Sequence, residues 1–575
     1  MIERVKFLFS PSIRVGLIIL GILLAAITPL NLLYSVVFII NLIIILGAAG
    51  DIYQEYRTTT YSKRFILFKV VVLILAASFL LESFHLFFSG LYYHTDRRLF
   101  SAAMRTYLTY FYLLLLFISM TSAAQIIRIF NILRSSPALA TLASFSAVII
   151  LGAMILTLPV CTVSIEKVSF IDSLFIATSA TCVTGLSTVD IGSYYTRFGQ
   201  LIVLLLIQTG GIGIITLALS LPIIMGSQTT FTSVMTIKDI IGVRTLREVL
   251  SVVRAVVFST LLIEFIGAIF LFIADSSIES IPLRIFYSIF HSISAFCNAG
   301  FSLFPDNLMG YSQNYLYIST IMTLIVLGGI GYPVISSLFY WLRDRILYRR
   351  HRSFSFHSKI VLSTTSILIF SGMILYLLLE WNNTLGSFSL GGKFMNSLFL
   401  SITPRTAGFN TTDISRLTKP AIIITIILMF IGASPSSTGG GIKTTTFATM
   451  FLSLRSLIKN REEVEAFRRT IPISSIYKAL NVAFISIIII SLSIFSLSII
   501  EKEKELISII FEVFSAFGTV GLSLGITPSL SAAGKVIIVL TMLIGRVGPL
   551  TIAIIFARKR ISGAYKYPED HIIIG

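Results

Sequence analysis

Charged residues are scarce in this chain of 575 residues: only 12% are Asp, Glu, Lys or Arg, whereas 55% are hydrophobic and the mean hydropathy is +0.93. A soluble protein with so few polar side chains lacks the means to cover its apolar core. Most of the apolar side chains must therefore face lipid or neighbouring membrane helices. The composition excludes a soluble domain and predicts a protein that crosses a membrane several times.

Acidic residues are the scarcer charge, with 26 Asp and Glu against 44 Lys and Arg, and the formal net charge is +18. A nucleic-acid-binding protein concentrates such an excess on one basic domain. Here the cations lie in short segments between apolar runs, at 238–247, 343–359 and 455–478. By the positive-inside rule these segments face the cytoplasm. The pattern argues against nucleic acid as a partner and predicts that both termini are cytoplasmic.

Cysteine and the usual catalytic motifs are nearly absent. Cys161, Cys182 and Cys297 form no CxxC pair, and two cysteines without further ligands do not complete a zinc site. The sequence has no Walker motif and no strand followed by GxGxxG. Its apolar runs contain no HExxH, no paired aspartates and no Ser with His. We therefore expect no enzyme active site and no cofactor in this chain.

Four short loops that end in glycine recur along the chain, within residues 179–186, 294–301, 403–409 and 515–522. Three of the four begin with Ser-Ala, and an apolar residue follows each glycine. The successive glycines are 115, 108 and 113 residues apart. This regular spacing indicates one unit that is used four times.

Each unit has the same predicted order of an apolar span, a short amphipathic run, the glycine loop and a second span. The predicted bounds are 142–158, 170–179 and 198–225; 252–274, 284–294 and 315–342; 360–380, 393–402 and 420–454; and 476–500, 506–514 and 536–557. A run of about ten residues is too short to cross a bilayer. Irregular backbone at membrane depth is tolerated only inside protein or along a water-filled path. The order predicts an all-α membrane protein with four membrane-pore-membrane (M1-P-M2) repeats around one pseudo-fourfold pore.

The domain boundaries follow from this order. The predicted repeats occupy residues 137–240, 241–350, 351–465 and 466–575, the last with the C-terminal tail. Residues 1–136 contain further apolar runs, of which 15–50 is long enough for a helical hairpin. They predict an extra N-terminal module of about four transmembrane helices.

The loops have the composition of a carbonyl-lined ion filter. Backbone carbonyls can replace the water shell of a cation without holding it too tightly. Glycine is needed because successive carbonyls point to one side only when some dihedral angles lie where a Cβ is disfavoured. The loops contain no ring of acidic side chains, which argues against a divalent cation. The candidate filter residues are Cys182, Val183, Thr184, Gly185, Cys297, Asn298, Ala299, Gly300, Arg405, Thr406, Ala407, Gly408, Gly518, Thr519, Val520 and Gly521.

A polar, glycine-rich stretch at residues 432–443 (GASPSSTGGGIK) interrupts the second span of the third unit. Gly and Pro disfavour a helix, and Ser and Thr compete for its backbone hydrogen bonds. A disordered surface loop is one alternative, but the apolar flanks favour an unwound segment inside the membrane. Its candidate functional residues are Gly432, Ser434, Pro435, Ser436, Ser437, Thr438, Gly439, Gly440, Gly441 and Lys443.

Two further residues lie inside apolar runs. Arg546 occupies the middle of the last span, where a charge is costly, so it should face a pore or a partner rather than lipid. A structural ion pair is the alternative. His291 lies in the second short run, where a hydrogen-bonded packing role is favoured over a proton relay.

These motifs resemble those of the superfamily of Trk, Ktr and HKT potassium transporters, over about residues 140–560. Residues 290–296 (FHSISAF), 403–409 (TPRTAGF) and 544–550 (IGRVGPL) are similar to bacterial KtrB subunits more than to TrkH. The resemblance implies that one chain folds its four repeats around a single pore. In the plant relatives a serine at the place of Gly185 goes with sodium selectivity, so Gly185 favours potassium.

The resemblance also implies a function. It implies potassium uptake across the plasma membrane by gated, channel-like conduction, with K+ as the transported ion and Na+ as a possible activator. Residues 432–443 would form a gate below the filter, and Arg546 a positive constriction that repels cations in the resting pathway.

Partners are implied as well. The chain would form a homodimer on a cytoplasmic ring of RCK-type regulatory subunits that bind ATP, ADP or a dinucleotide. The basic segment 343–352 would contact that ring or anionic lipid. Three alternatives stay open: proton-coupled potassium symport of the Trk type, a sodium-conducting relative, and a sensor or scaffold in which residues 1–136 are the working part.

Overall fold

The computed structural model describes residues 137–163, 169–213, 246–347 and 353–556. Within these ranges the chain is almost entirely helical, with connecting loops and one small hairpin. The predicted N-terminal module, residues 1–136, lies outside the described residues and stays a prediction.

The helices follow one order four times: a long helix, a shorter helix, a loop and a further helix. The first half contains α1 (Pro137–Leu156), α2 (Phe170–Thr181), α3 (Ile191–Tyr194), α4 (Arg197–Ile212), α5 (Leu246–Ala274), α6 (Ile281–Phe296), α7 (Tyr315–Ile330) and α8 (Tyr332–Ile346). The second half contains α9 (Phe356–Glu380), α10 (Leu390–Ile402), α11 (Lys419–Phe430), α12 (Thr444–Ile458), α13 (Ile473–Ile500), α14 (Leu506–Gly518), α15 (Ala532–Val547) and α16 (Pro549–Phe556). Strands β1 (Glu465–Ala466) and β2 (Arg469–Thr470) pair as an antiparallel hairpin between α12 and α13.

Polar caps fix where the helices after the loops begin. The side chains of Thr196, Asn314 and Ser531 each accept a hydrogen bond from a backbone N–H three residues later, at the first turns of α4, α7 and α15. Such caps satisfy amide groups that have no partner within the helix. These caps define the first residue of the helix in three of the four units, whereas α11 begins at Lys419 without a side-chain cap.

Three described helices are long and apolar enough to cross a membrane: Arg254–Ala274, Phe356–Glu380 and Ile473–Ile500. The pair α7 and α8 makes a fourth if it is counted as one broken span. Large apolar side chains on the long helices are exposed, including Phe265 at 65% and Phe495 at 67%. Exposed phenylalanines are expected where lipid is the solvent.

Two predicted spans are broken rather than continuous. The predicted span 315–342 was wrong as a single helix, because α7 and α8 meet at an angle of 107°. The bend lies at Gly331, whose φ of 83° leaves the helical region, and Pro333 follows in the first turn of α8. The predicted span 536–557 is likewise interrupted at Gly548, with a φ of 96°, directly before Pro549.

The short helices form the centre of the fold. Phe175 on α2, Phe290 on α6, Phe399 on α10 and Phe511 on α14 are fully buried. The last group of helices also packs against the first, since α15 contacts α2. Lys535 Nζ on α15 lies 2.7 Å from Asp172 Oδ1 on α2, with both side chains largely buried. The arrangement is therefore closed, with the end of the described chain joined to its beginning.

Candidate functional site

Four loops meet in a closed ring: loop 1 (182–185), loop 2 (297–300), loop 3 (405–408) and loop 4 (518–521). The glycine of each loop lies against the carbonyl oxygen that precedes the glycine of the next loop. The pairs are Gly185 with Ala299, Gly300 with Ala407, Gly408 with Val520, and Gly521 with Thr184. A Cβ on any of the four glycines would overlap its paired oxygen. Only glycine therefore fits at these positions without displacing the neighbouring loop.

The loops share one backbone conformation. In each loop φ is positive at the glycine and at the residue two positions before it. The values are 57° at Val183, 93° at Gly185, 60° at Asn298, 70° at Gly300, 73° at Thr406, 74° at Gly408, 50° at Thr519 and 93° at Gly521. Of the four residues two positions before a loop glycine, Val183, Thr406 and Thr519 have side chains that disfavour a positive φ, because the αL region is uncommon for residues other than Gly, Asn and Asp. The surrounding packing must hold these loops in place.

The amide groups of the loops bond back to the short helices. The N–H of the residue before each glycine donates to the carbonyl of Ser179, Ser294, Thr403 or Ser515, at 2.7–3.0 Å. The hydroxyls of Ser179 and Ser515 also accept from the N–H of Gly185 and Gly521. A Ser or Thr therefore lies five or six residues before each loop glycine. This hydrogen bond explains why Ser-Ala recurs in the sequence.

The carbonyl groups of the loops, in contrast, are left without partners. The carbonyl oxygens of Thr184, Ala299, Ala407 and Val520 accept no hydrogen bond from any residue in the described part of the chain. A buried carbonyl without a partner costs free energy unless a ligand or water takes that place. The ring therefore presents oxygen ligands and no acidic side chain of its own.

The short helices add an electrostatic contribution. Helices α2, α6, α10 and α14 all run into their loops at the C-terminal end. The C-terminus of a helix carries a partial negative charge, which stabilises cations. All four helix termini thus favour a cation at the ring.

The first position of each loop carries chemically different side chains. It is Cys182, Cys297, Arg405 or Gly518. Cys297 is fully buried, with its Sγ 3.7 Å from oxygens of Glu264 and Gln208. The Arg405 side chain reaches α9, where Nη2 donates to Thr365 Oγ1 at 3.4 Å. Arg405 can therefore contribute only its main chain to the ring.

Residues 431–443, hereafter the coil segment, connect α11 and α12 and contain no helix. They pack against the bend between α7 and α8. Ser434 N donates to Gly329 O at 3.0 Å, and Tyr332 N donates to Ser436 O at 3.2 Å. A Cβ on Gly331 would lie 2.6 Å from Pro435 O, so the bend and the segment fit only because Gly331 has no side chain.

The coil segment also touches the ring. Gly440 N donates to Thr519 Oγ1 of loop 4 at 3.0 Å, and Thr438 Oγ1 donates to Phe296 O at the end of α6. A Cβ on Gly439 would overlap the side chain of Thr406 in loop 3. The segment thus lies directly beside the loops.

Within the segment, side chains and glycines hold a compact conformation. Lys443 Nζ donates to Gly439 O, Ser437 Oγ donates to Ser434 O, and Ser434 Oγ lies 2.9 Å from Thr444 Oγ1. Gly432 and Gly441 pass each other so closely that a Cβ on Gly432 would overlap Gly440 O. These contacts describe an ordered coil rather than a disordered loop.

Arg546, on α15, joins the coil segment to a second element. Its guanidinium donates to the carbonyls of Thr438 in the segment and Gly210 on α4. Within the described residues no Asp or Glu forms an ion pair with Arg546. The alternative of a structural ion pair is therefore unsupported there, and the arginine bridges backbone carbonyls instead.

Sequence reasoning missed two buried acids near the ring. Glu264 on α5 accepts from Gln208 Nε2 at 3.0 Å, and Glu512 on α14 is fully buried and accepts from two hydroxyls. The sequence does contain a signal for both residues, since a Glu inside an apolar run indicates a functional or paired group. His291, in contrast, is a fully hydrogen-bonded packing histidine with both ring nitrogens engaged, in agreement with the favoured expectation.

Comparison with known proteins identifies relatives. The family model TrkH, described as a cation transport protein, matches residues 117–566. The Ktr system potassium uptake protein B of Bacillus subtilis (strain 168) is 41% identical over 438 residues, which are 75% of this chain and 95% of that protein. The potassium/sodium uptake protein NtpJ of Enterococcus hirae is 36% identical over 448 residues, 77% of this chain and 98% of that protein.

The fold has a counterpart among solved structures. The crystal structure of the potassium transporter TrkH from Vibrio parahaemolyticus matches with a TM-score of 0.61 and 18% sequence identity, over 85% of this chain and 97% of that chain. These matches confirm the predicted resemblance and the expectation of a transporter rather than an enzyme. The chain belongs to the TrkH family of cation transport proteins.

Proposed function

We propose that this protein takes up potassium across the plasma membrane by conduction through the ring of four loops. The observation that carries the proposal is the closed ring of carbonyl oxygens that accept no hydrogen bond from the described residues. The names of the relatives, a potassium uptake protein and a potassium/sodium uptake protein, support the choice of a monovalent cation.

The proposed mechanism uses the backbone alone. An entering K+ loses water and gains carbonyl oxygens of residues such as Thr184 and Val520, while the C-terminal ends of the short helices lower its energy further. No acidic side chain lies in loops 1 to 4, so the ion is not held too tightly to leave. The four loops would then be the filters of four M1-P-M2 repeats around one axis.

The coil segment and Arg546 form the proposed gate. The segment lies against loops 3 and 4 and is held to α4 and α15 through Arg546. Its removal from the path would let an ion pass on from the ring, and the positive charge of Arg546 repels cations until then. The bent pair α7 and α8 supplies the surface on which the segment rests.

The remaining assembly is proposed from the family resemblance. Two copies would form a homodimer on a cytoplasmic ring of RCK-type subunits that bind ATP, ADP or a dinucleotide. Both termini would be cytoplasmic, residues 1–136 would add about four helices, and Na+ would stimulate transport. A relative that belongs to a Ktr system supports a multi-subunit assembly.

Sodium as a second transported ion is the alternative with a specific observation in its favour. NtpJ, 36% identical to this chain, is named for both potassium and sodium uptake. Proton coupling of the Trk type would need a titrating group in the path, and one candidate is the buried carboxyl of Glu264, which lies 3.7 Å from Cys297 Sγ in loop 2. Ion flux measurements separate these possibilities.

The test is uptake of K+, Rb+ and Na+ into liposomes that hold the purified protein. We expect K+ and Rb+ to enter passively along an imposed gradient, Na+ to enter far more slowly, and added Na+ to accelerate K+ uptake. K+ accumulation that requires a proton gradient would favour the symport alternative. Equal K+ and Na+ rates would favour the sodium-conducting alternative, and liposomes impermeable to all three ions would contradict the proposal.

Gly185→Ser is the variant that tests loop 1 in the same uptake assay. A serine must adopt the φ of 93° and place its Cβ into the carbonyl of Ala299. Such strain is worth about 1–3 kcal/mol, and we expect it to widen the ring and to lower the ratio of K+ to Na+ uptake roughly tenfold. An unchanged ratio in a folded variant would count against loop 1 as part of the filter.

A further inference from the structure

Two buried polar side chains occupy equivalent places behind the ring. His291 on α6 and Glu512 on α14 each lie nine residues before the glycine of their loop. Both are fully buried. The equivalent residues on α2 and α10 are Ile176 and Phe399, which are also buried but apolar. Loops 2 and 4, which are not neighbours in the ring, therefore share a feature that loops 1 and 3 lack.

His291 holds the chain that leaves loop 2. Its Nδ1–H donates to Tyr287 O at 2.8 Å, because a carbonyl can only accept. Its Nε2 is then an acceptor, which receives the N–H of Leu303 at 3.3 Å and lies 3.1 Å from Ser302 Oγ. The ring stacks on Phe304, with centroids 4.7 Å apart, so its orientation is fixed.

Glu512 does the same for loop 4 with a different group. Its Oε2 accepts from Ser523 Oγ at 2.7 Å, and its Oε1 accepts from Thr527 Oγ1 at 2.5 Å. Ser302 and Ser523 each lie two residues after the loop glycine. Two unrelated side chains thus present acceptor atoms to a serine hydroxyl at one and the same position.

Loops 1 and 3 are arranged otherwise. Ser187, at the equivalent position after loop 1, donates to Val189 O within its own segment. Asn410, after loop 3, donates to Thr412 O. Neither side chain is tied to its short helix. Loops 2 and 4 are therefore tied to their short helices through the serine two residues after the glycine. Loop 3 is held after its glycine in another way, since Thr403 Oγ1 donates to Phe409 O.

We propose that His291 and Glu512 are positioning residues that hold the exits of loops 2 and 4 and thereby set the width of the carbonyl ring. Because each glycine lies against a carbonyl of the next loop, the two loops held at this serine, on opposite sides of the ring, restrain the other two. The contacts of His291 with Ser302 and of Glu512 with Ser523, hereafter the clamps, thus act on discrimination between K+ and Na+ and not on the opening of the pathway. This inference rests on the proposed function of the ring.

The test removes single oxygen atoms from the loop side of each clamp. Ser302→Ala removes the contact with His291 together with the bonds of that hydroxyl to Phe304 N and Asn307 O. Ser523→Ala removes the bond to Glu512 together with those to Gly525 N and Thr527 Oγ1. We expect each variant to lower the K+/Na+ uptake ratio in liposomes roughly threefold. Ser302→Thr and Ser523→Thr keep the hydroxyl and should retain the ratio. Ser187→Ala, the matched control at a loop without a clamp, should also retain it.

A double-mutant comparison distinguishes the clamp from a general packing effect. Glu512→Gln combined with Ser523→Ala should lower the ratio no further than the stronger single variant, since both substitutions disrupt the same contact between Glu512 and Ser523. Ser302→Ala combined with Ser523→Ala should give the product of the two single effects, because the sites are separate. Thermal stability in detergent shows that each variant is folded.

Two results would overturn the inference. The first is an unchanged ratio in Ser302→Ala and Ser523→Ala when Gly185→Ser lowers it in the same assay. The second is an equal loss in Ser187→Ala. If Gly185→Ser is also without effect, or if the unmodified protein passes no K+, the proposed function of the ring fails instead and the inference falls with it.

Discussion

At the scale of single residues, Arg546 is a charged group from another element that the structure places beside the coil segment. Its two bonds go to carbonyls of Thr438 and Gly210, on elements that are otherwise far apart in the sequence. A guanidinium can bind two acceptors at once because its donors form a rigid fork. Arg546 therefore combines two properties, a positive charge and a mechanical link, and substitutions can separate them.

Arg546→Gln and Arg546→Lys are the informative pair. If the charge is the barrier, Gln should raise K+ flux roughly tenfold, since a nearby unit charge is worth on the order of 1–2 kcal/mol at an effective dielectric constant of about 20. Lys keeps the charge and should leave the flux low. Flux that rises equally in both variants would assign the effect to the lost bridge, and lower stability without any gain would contradict a barrier.

The position of Arg546 was predictable because a charge in an apolar run is costly unless it faces a pore or a partner. The equivalence of His291 and Glu512 was not predicted, although both residues are visible in the sequence. It appears only when the repeats are aligned on their glycines and the serine two residues later is taken into account. Because the two repeats have different side chains at this equivalent position, no shared sequence motif marks it.

At the scale of elements, the coil segment and the bend between α7 and α8 are one structural feature. Three backbone hydrogen bonds join them, and Gly331 allows the close approach. The segment was predictable from its composition. The bend was not, because its glycines lie inside an apolar run and its partner, the coil segment, begins about a hundred residues later in the chain.

Removing residues 435–437 should weaken the contact of the segment with α7 and α8 while leaving Gly439 and Gly440 beside the loops. We expect K+ flux to rise about fivefold or more, since the loss of even one hydrogen bond worth about 1 kcal/mol changes an equilibrium by that factor. The K+/Na+ ratio should stay unchanged because the ring is intact. Flux measured in liposomes that falls in a stable variant would show that the segment is not a gate.

At the scale of the whole molecule, the closure of the ring needs only the described part of the chain. Loop 4 contacts loop 1, and the buried pair of Lys535 and Asp172 joins α15 to α2. The sequence predicted the loops and their fourfold use from spacing alone, but contacts between loops could not be predicted because they depend on atoms that lie a hundred or more residues apart.

A chain that begins at residue 137 should therefore conduct. We expect removal of residues 1–136 to leave passive K+ uptake in liposomes within about twofold of the full chain, because the ring, the coil segment and Arg546 all lie beyond that boundary. Expression of the shortened protein and its behaviour in size-exclusion chromatography serve as controls. A folded protein without K+ uptake would make the N-terminal module part of the working machinery.

The four loop glycines and the carbonyls they touch come from a single polypeptide. One codon change therefore alters one quadrant and spares the other three, whereas in an assembly of identical subunits it would alter all of them together. Each quarter of the opening can therefore change separately in evolution. The first loop position already holds three residue types, Cys in loops 1 and 2, Arg in loop 3 and Gly in loop 4, where identical subunits would have to share one.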